Sequence, residues 1–352
     1  MCALALVAAA CSTTATTPPA STTTSTTTVV HGTATVACAG SLDKLYNTVI
    51  APAFKTATGD TAAGPPCQGS STLAQEIVSK EISPGAFLAV GLGAIKTLFP
   101  ARAKFAIAIA TDPIVVAYSS KSRYFTQLNA IRSGSKPLAS LFSLLATPGF
   151  RLGRTDPSQD PQGIFFILMT KLAQTELHLP AGQAAADVGI TASNAFGTAA
   201  QMVSEDALPV DISTGVFDAG SEYLPEAIQY GLDYIKLPAV LNFSDPADLS
   251  TYSSVSLDIA GVATPGELIQ LNFTLVQPAS GTTPLSATDE AADQAFLDYM
   301  LSSGGRTILS KVGYTLIPPR LTLAPGASSA TAALPASVLS AYNKLGGSIA
   351  TS

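Results

Sequence analysis

Two copies of one pattern, an apolar strand followed by Gly-Ser and a helix, constrain the fold of this chain more than any other feature. The first copy is VVHGTATVACAGSL with the helical LDKLYNTVIAPAFKTATG, and the second is a short strand ahead of CQGS with the helical STLAQEIVSKEI. In α/β proteins such units bring their turns together at the carboxyl edge of one sheet. We therefore expect Ser41 and Ser70 to lie on neighbouring turns of that edge.

The position of both serines ahead of a helix favours an anionic ligand. A helix N-terminus presents unpaired backbone N–H groups and the positive end of the helix dipole. Serine is also an ordinary N-cap residue, so a single Gly-Ser turn indicates little. Two such turns on neighbouring strands predict a candidate oxyanion site with two hydroxyl groups.

Length and composition limit the alternatives. The chain has 352 residues, enough for two lobes with separate cores, and carries a formal net charge of −6 with only 12% charged residues. Such a chain has no basic surface for nucleic acid, and it can hold an anion only through local dipoles. His31 and His178 form no zinc motif, and the sequence contains no nucleophile elbow and no Walker-type loop. The sequence therefore predicts a binding protein without a cofactor rather than an enzyme.

The N-terminal 28 residues predict export and membrane anchoring. Residues 1–11, MCALALVAAAC, form a short apolar run that ends in small residues and Cys11, as in a bacterial lipoprotein signal. Residues 12–28 are a low-complexity Thr/Ser/Pro segment that cannot bury a core. We expect Cys11 to carry a lipid and residues 12–28 to act as a disordered tether. No later apolar stretch of the sequence is long enough to span a bilayer.

A further candidate segment is GRTDPSQDPQG, residues 153–163, which leads into the apolar run IFFILMTKLA. Asp160 and Pro161 are typical of the N-cap and the first residue of a helix, because a carboxylate accepts free N–H groups and proline has none to lose. For an isolated Asp-Pro pair, this capping role would be sufficient.

The GRTDPSQDPQG segment resembles the corresponding part of the extracytoplasmic tungstate/molybdate-binding proteins that supply ABC importers. AGSL, the GSS ahead of TLAQEI, and VFDAGSEYLPEAIQYGLDYIKLP resemble further segments of that family, in the same order. The resemblance implies that Asp160 and Glu222 are the carboxylate ligands of the oxyanion. It also implies that Ser41 and Ser70 contact the ligand and that Tyr223 lines the site.

The same resemblance, which covers about residues 34–320, implies a type II periplasmic binding protein fold. Such a fold has two α/β lobes, each a mixed, mostly parallel sheet flanked by helices, with the ligand cleft between them. The expected division is 29–117 and 268–330 for lobe one, 118–267 for lobe two, and 331–352 for a C-terminal tail. One loop departs from the family, because Gly91, Leu92 and Gly93 stand where an acidic residue and a tyrosine are usual.

Tungsten and molybdenum explain why carboxylates could serve an anion. Two carboxylates near a dianion repel it by several kcal/mol at short range and reduced dielectric. The metal of tungstate or molybdate is electrophilic and can expand from four to six oxygen ligands, which would allow Asp160 and Glu222 to bond the metal itself. Ser41, Ser70 and helix N–H groups would then contact the oxo groups.

Several functions remain open at this point. The leading hypothesis is a lipid-anchored, monomeric solute-binding protein that delivers tungstate or molybdate to an ABC permease. A protein of the same fold could instead bind phosphate or sulfate, and the departure in the Gly91–Gly93 loop favours this alternative. An exported hydrolase with an acid/base carboxylate pair is a third hypothesis, which the absence of tryptophan sugar platforms disfavours. A structural surface lipoprotein is a fourth, supported only by the low charge and the tether.

Cys38 and Cys67 are candidates for a disulfide. Each lies three residues before its serine, on what should be adjacent parallel strands, and an exported protein would permit the bond. Two buried thiols that pack as small apolar side chains are an equal alternative.

Overall fold

The structure is a computed structural model that describes residues 30–180, 201–282 and 284–350. Its strands are β1 (Thr33–Cys38), β2 (Thr61–Ala63), β3 (Ala86–Val90), β4 (Phe105–Thr111), β5 (Ile114–Tyr118), β6 (Leu152–Gly153), β7 (Ala219–Tyr223), β8 (Asp233–Lys236), β9 (Ser256–Ile259), β10 (Val262–Pro265), β11 (Gln270–Leu275), β12 (Thr315–Leu323) and β13 (Ser348–Ile349).

The α-helices of the described residues vary from one turn to more than four turns. They are α1 (Asp43–Leu45), α2 (Ala51–Thr58), α3 (Ser70–Ser79), α4 (Gly93–Lys96), α5 (Phe125–Arg132), α6 (Ser140–Leu145), α7 (Pro161–Glu176), α8 (Leu208–Thr214), α9 (Leu224–Gln229), α10 (Ala239–Asn242), α11 (Leu249–Tyr252), α12 (Ala287–Leu301), α13 (Ser303–Lys311), α14 (Ala330–Ala333) and α15 (Ala336–Lys344). Short 3₁₀ turns lie at Gly40–Leu42 and Pro246–Asp248, and a π turn lies at Tyr46–Ile50.

A seven-stranded sheet in the order β13-β12-β4-β11-β3-β1-β2 forms the first lobe together with its helices. Every residue of β3 and β4 is buried, which is typical of strands covered on both faces by helices. In β1, Thr33 to Thr35 pair with β2 and Val36 to Cys38 pair with β3, in parallel register both times. The two Gly-Ser turns therefore lie on the same edge of this sheet, as the sequence predicts.

A four-stranded sheet in the order β6-β7-β5-β8 forms the second lobe together with its helices. β5 pairs antiparallel with β7, which places Val115 opposite Glu222 and Ile114 opposite Tyr223. The longest described helix of this lobe, α7, packs a largely apolar set of buried residues that includes Phe165 and Phe166. The α/β class and the mixed sheets flanked by helices are confirmed.

The sheets are mixed but not mostly parallel. In the first sheet the pairs β1–β2, β1–β3 and β12–β13 are parallel, whereas β11 pairs antiparallel with β3 and β4, and β12 pairs antiparallel with β4. In the second sheet only β6–β7 is parallel. The reason is that β11 returns from the second lobe and enters between β3 and β4 against their direction, without a helical crossover within the first lobe.

The chain changes sheet at Asp112-Pro113, since β4 ends at Thr111 and β5 begins at Ile114. The boundary expected between residues 117 and 118 therefore lies inside β5, which belongs to the second sheet. The return falls near the expected residue 268, and the two crossings touch, because the Asp112 amide donates a 2.9 Å hydrogen bond to the carbonyl of Ile269.

Residues 331–350 are not a loose tail. They contain α15, whose Val338 and Tyr342 are buried, and β13, which extends the first sheet beside β12. In the part of the chain that the structure describes, no helix has the length and apolarity needed to cross a bilayer. Cys11 and the Thr/Ser/Pro segment lie outside the described residues, so lipidation and tethering stay predictions.

Candidate functional site

A disulfide joins the two Gly-Ser turns. Cys38 and Cys67 are bonded, with their Cα atoms 4.8 Å apart. Just beyond the bond, the Gly40 amide donates to the carbonyl of Gln68 at 2.9 Å, and the Gln68 amide donates to the carbonyl of Cys38 at 3.2 Å. This ladder holds the turn that carries Ser41 directly beside the turn that carries the second serine.

The two serines differ in their local structure. Ser70 is the first residue of α3, with Gly69 at the N-cap, and its Oγ accepts a 3.2 Å hydrogen bond from the amide of Val90. Ser41 lies in a 3₁₀ turn rather than at the start of a long helix. Its buried Oγ lies beside the carboxyl group of Glu205, to which it can donate, and has no other hydrogen-bond partner among the described residues. Ser41 is thus the better placed of the two to donate to a ligand.

Asp160 has one oxygen in a capping role and one that faces the first lobe. Its Oδ1 accepts a 2.6 Å hydrogen bond from the amide of Gln162, and this bond caps α7. The same oxygen accepts a 3.1 Å hydrogen bond from the hydroxyl of Thr155. Its Oδ2 is buried, accepts from no N–H or hydroxyl group within the described ranges, and lies near Gly69 of the serine turn, with the carboxyl group of Glu205 beside Asp160. The capping and ligand-binding interpretations are therefore compatible, because each uses a different oxygen.

Glu222 and Tyr223 end β7 at the same place. Glu222 is 0% exposed, and apart from the neighbouring carboxyl group of Glu226 its oxygens have no hydrogen-bond partner in the described part of the chain. The Tyr223 hydroxyl is likewise buried and unpaired there. Native proteins rarely leave buried polar atoms unpaired, so a cluster of them marks a ligand site or a strained region.

Three further buried carboxyl groups belong to this region, and none of them was predicted from the sequence as a candidate site residue. Glu205 lies in the turn ahead of α8, Glu226 lies on α9, and Asp112 lies at the first crossing between the lobes. We call the five residues the acidic cluster: Asp112, Asp160, Glu205, Glu222 and Glu226. Among the described residues, no three His, Cys, Asp or Glu side chains are arranged to hold a metal ion.

Members of the acidic cluster lie close enough for their charges to raise one another's pKa values. Burial is the largest cause of the raised pKa of Glu205, and the charges of Asp160 and Glu226 raise it further. Burial also raises the pKa of Glu222 to about 8, against the lowering effect of a hydrogen bond with Glu226 and with added repulsion from Glu205 and Asp160. The pKa values of Asp112, Asp160 and Glu226 are raised as well, in each case first by burial. The folded protein therefore keeps these carboxyl groups protonated to a higher pH than ordinary, exposed carboxyl groups.

These raised pKa values lead to a prediction about stability without ligand. In the unfolded chain Glu222 ionises near its ordinary pKa of 4.5, whereas in the folded protein it ionises only at about 8. The unfolded state therefore releases this proton first, and the free energy of unfolding falls as the pH rises from about 4.5 to about 8. Glu222→Gln removes the ionisable group. We expect the variant to gain melting temperature relative to the wild type at pH 8.5, with a smaller gain or none at pH 5, in thermal unfolding scans. An equal difference at both pH values would show that Glu222 is not held neutral by burial.

The Gly91–Gly93 loop, which departs from the family, lies close to the second lobe through its backbone. Gly91 has a φ of +79°, and a Cβ there would lie 3.8 Å from Pro161 of the second lobe. The amides of Leu92 and Gly93 donate hydrogen bonds to the carboxylate of Glu267. Burial raises the pKa of this carboxyl group, and the two amides partly offset that rise. The loop therefore contacts the second lobe near the site, but its N–H groups are already occupied.

The two lobes touch along the serine turns. The Thr72 hydroxyl on α3 lies 3.4 Å from the carbonyl and 3.2 Å from the side-chain oxygen of Gln159, and Lys44 donates to the carbonyl of Gln229 at 2.7 Å. A groove of about 430 Å³ follows this contact, with Gln68, Gly69 and Thr72 on one wall and the loops that carry Asp160 and Glu205 on the other. The structure thus brings the predicted residues Ser41, Ser70, Asp160, Glu222 and Tyr223 into one region between the lobes.

Comparisons with known proteins show the family to which the chain belongs. The sequence profile of a family described as bacterial extracellular solute-binding protein matches residues 34–315. The chain is 26% identical over 299 residues to an uncharacterized solute-binding protein of Saccharolobus solfataricus, covering 82% of this chain and 71% of that protein. It is 28% identical over 208 residues, 59% of each chain, to a Haloferax volcanii protein named "Putative ABC transporter molybdenum-binding protein".

A solved structure with a similar fold is the periplasmic molybdate-binding protein of Azotobacter vinelandii. It is 17% identical, with a TM-score of 0.49, and the match covers 82% of this chain and all of that one. The chain spans between 59% and 71% of the length of the two relatives above.

Proposed function

Since this chain belongs to the family of bacterial extracellular solute-binding proteins, we propose that its solute is tungstate or molybdate, delivered to the permease of an ABC importer. The observation that carries the proposal is the pair Asp160 and Glu222. Both are buried at the contact between the lobes, and Asp160 Oδ2 and both Glu222 oxygens accept from no N–H or hydroxyl group among the described residues, where their neighbours are the carboxyl groups of Glu205 and Glu226. A ligand at this place would meet oxygens whose partners within the described residues are other carboxyl groups.

Direct coordination to the metal of the oxyanion would satisfy Asp160 Oδ2 and one oxygen of Glu222. A tetrahedral tungstate or molybdate would gain one oxygen from Asp160 and one from Glu222 and become six-coordinate. Asp160 can keep its helix cap at the same time, because Oδ1 makes the capping bonds and Oδ2 does not. Asp160 can therefore cap α7 and coordinate the metal at the same time.

Donors for the oxo groups are also present. The Tyr223 hydroxyl is buried and makes no hydrogen bond within the described residues, and the buried Ser41 hydroxyl lies beside Glu205, so both can donate to a ligand. Carboxyl groups that burial keeps protonated are donors as well, and burial raises the pKa of Glu205 well above its usual range. The site thus offers both the acceptors that a metal needs and the donors that oxo groups need.

Sulfate and phosphate fit this set of residues less well. Their central atoms stay four-coordinate, so an ionised carboxylate next to them meets only oxygen atoms and repels them. A protonated carboxyl could donate to one of those oxygens, but neither Asp160 nor Glu222 could bond the central atom of sulfate or phosphate. The similarity to the Haloferax volcanii protein supports molybdenum as the ligand metal without assigning it.

Isothermal titration calorimetry with four sodium salts tests the proposal. We expect tungstate and molybdate to bind and to raise the melting temperature with concentration, since a ligand of the folded state alone stabilises it by mass action. Sulfate and phosphate should have little effect at equal concentration. If phosphate or sulfate bound as tightly as tungstate, the solute-binding role would stand and the proposed ligand would be wrong.

Delivery at the membrane completes the proposal. A monomer anchored through a lipid on Cys11 would keep the binding lobes near the permease, with residues 12–28 as the tether. Mass spectrometry of protein extracted from membranes should find a diacylglyceryl group on an N-terminal Cys11. A mature chain that still carries unmodified residues 1–10 would contradict the anchor but not the binding function.

A further inference from the structure

Two glycines stand where the serine turns of the first lobe meet the acidic loops of the second lobe. We propose that Gly40 and Gly69 are positioning residues for ligand binding, because only the absence of a side chain at these positions allows the two lobes to close on the solute. The inference rests on the proposed binding function, and it adds the residues that set how closely the two halves of the site approach each other.

Gly69 faces the backbone of the second lobe. A Cβ built at Gly69 would lie 2.7 Å from the carbonyl oxygen of Gln159 and 3.1 Å from Asp160 Oδ2. Real Cβ atoms essentially never approach within 3.0 Å of another heavy atom, so the loop would have to move. This loop is held by its own hydrogen bonds, since the amides of Gln159 and Asp160 both donate to the carbonyl of Asp156. The readiest adjustment is a wider separation of the lobes.

Gly40 faces a side chain of the second lobe instead. A Cβ at Gly40 would lie 2.6 Å from Glu205 Oε2 and 3.1 Å from Glu205 Cβ. The carboxylate end of Glu205 can rotate away, but its Cβ cannot move without the backbone. A side chain at Gly40 is therefore expected to hinder closure less than one at Gly69.

Backbone conformation does not explain either glycine. Gly69 has φ −49° and ψ 128°, which any residue can adopt, and Gly40 is not among the residues with positive φ. The nearest atoms to each added Cβ all belong to the second lobe. A substitution should therefore leave the fold of the first lobe intact and act on the approach of the lobes.

Gly93 provides a matched control in the first lobe. It lies in the third loop of the same edge, its φ is not positive, and a Cβ there would meet no atom within 4 Å. Gly69→Ser is the most informative variant, because serine is a better helix N-cap than glycine or alanine and should not weaken α3. Loss of binding in this variant cannot then be attributed to a poorer cap.

The experiment compares Gly69→Ser, Gly40→Ala and Gly93→Ala with the wild type, using the full chain and sodium tungstate. We expect Gly69→Ser to bind about 10- to 100-fold more weakly, Gly40→Ala to lose less, and Gly93→Ala to match the wild type. Melting temperatures without ligand should stay close to that of the wild type. Equal affinity of Gly69→Ser and wild type would overturn the inference and leave the binding function in place.

Small-angle X-ray scattering without any oxyanion separates this inference from the proposed ligand. The lobe contacts at Gly40 and Gly69 involve protein atoms only, so Gly69→Ser should have a larger radius of gyration than the wild type and Gly93→Ala. A wild type that binds no tungstate would refute the ligand, and this comparison would still decide the role of the glycines. Identical radii for all three proteins would overturn it.

Discussion

Asp160→Asn and Glu222→Gln should each weaken tungstate binding by about 100-fold while the free protein stays folded. The physical reason is the loss of a charged oxygen ligand to the metal, and the loss of one strong charge-assisted contact is worth roughly 1.5–3 kcal/mol. Asparagine caps a helix about as well as aspartate, so Asp160→Asn should keep the cap of α7. Calorimetric titration of both variants measures the effect.

The direction of the change separates three roles for these carboxylates. If they were only structural, affinity would be unchanged, and if they faced the anion across water, removal of a negative charge would improve binding. Only direct coordination predicts a large loss. The double variant should lose less than the sum of the single losses, because one missing ligand already returns the metal towards four-coordination. Asp156→Asn, in the same loop but partly exposed and bonded to Ser158, is the matched control and should bind normally.

Loss of the Cys38–Cys67 disulfide should have the second large effect. The bond closes a loop of 29 residues, and replacement of both cysteines by serine should lower the free energy of unfolding by about 3–4 kcal/mol, which denaturant titration measures. Tungstate binding should weaken too, because the bond lies just before Gly40-Ser41 and Gly69-Ser70 and holds these turns together. A reductant should reproduce both effects in the wild type and have no effect on the double serine variant. An unchanged unfolding midpoint after complete reduction would contradict the expected contribution of the bond.

Local sequence signals predicted the elements that build the site. The Gly-Ser turns, Asp160-Pro161 and Glu222-Tyr223 depend on short-range chemistry, such as helix capping and strand termination, and these lie where the sequence placed them. The direction of the strands depends on pairing between distant segments. Nothing local in ELIQLNFTL shows that this segment enters the first sheet antiparallel to β3 and β4, so the mostly parallel sheets were predicted incorrectly.

The position of the first crossing could have been predicted. Pro113 has no amide to donate to a strand ladder, and it follows an apolar strand directly, so the break between β4 and β5 belongs there rather than after Ala117. A second general rule would have drawn attention to Asp112. This carboxylate lies at the carboxyl end of a strand, where α/β proteins place ligand residues.

Glu205 and Glu226 carried no comparable signal. Glu226 stands in LPEAIQY, where a glutamate in the first turn of a helix is typical of a solvated, dipole-stabilising residue. Glu205 lies in SED, a sequence typical of an exposed turn. Glu205 is buried where the two lobes approach each other beside Gly40, and no local pattern encodes that approach. Protonated carboxyls at these positions would explain how an acidic protein can accept an anion.

The most direct test of the account is the coordination number of bound tungsten. X-ray absorption at the tungsten L3 edge, measured on the wild-type complex and on the Glu222→Gln complex at saturating tungstate, counts the oxygen atoms around the metal. Coordination by Asp160 and Glu222 predicts six oxygens in the wild type and fewer in the variant. A four-coordinate, undistorted tetrahedral tungstate in the wild-type complex would contradict the proposal that these carboxylates bond the metal.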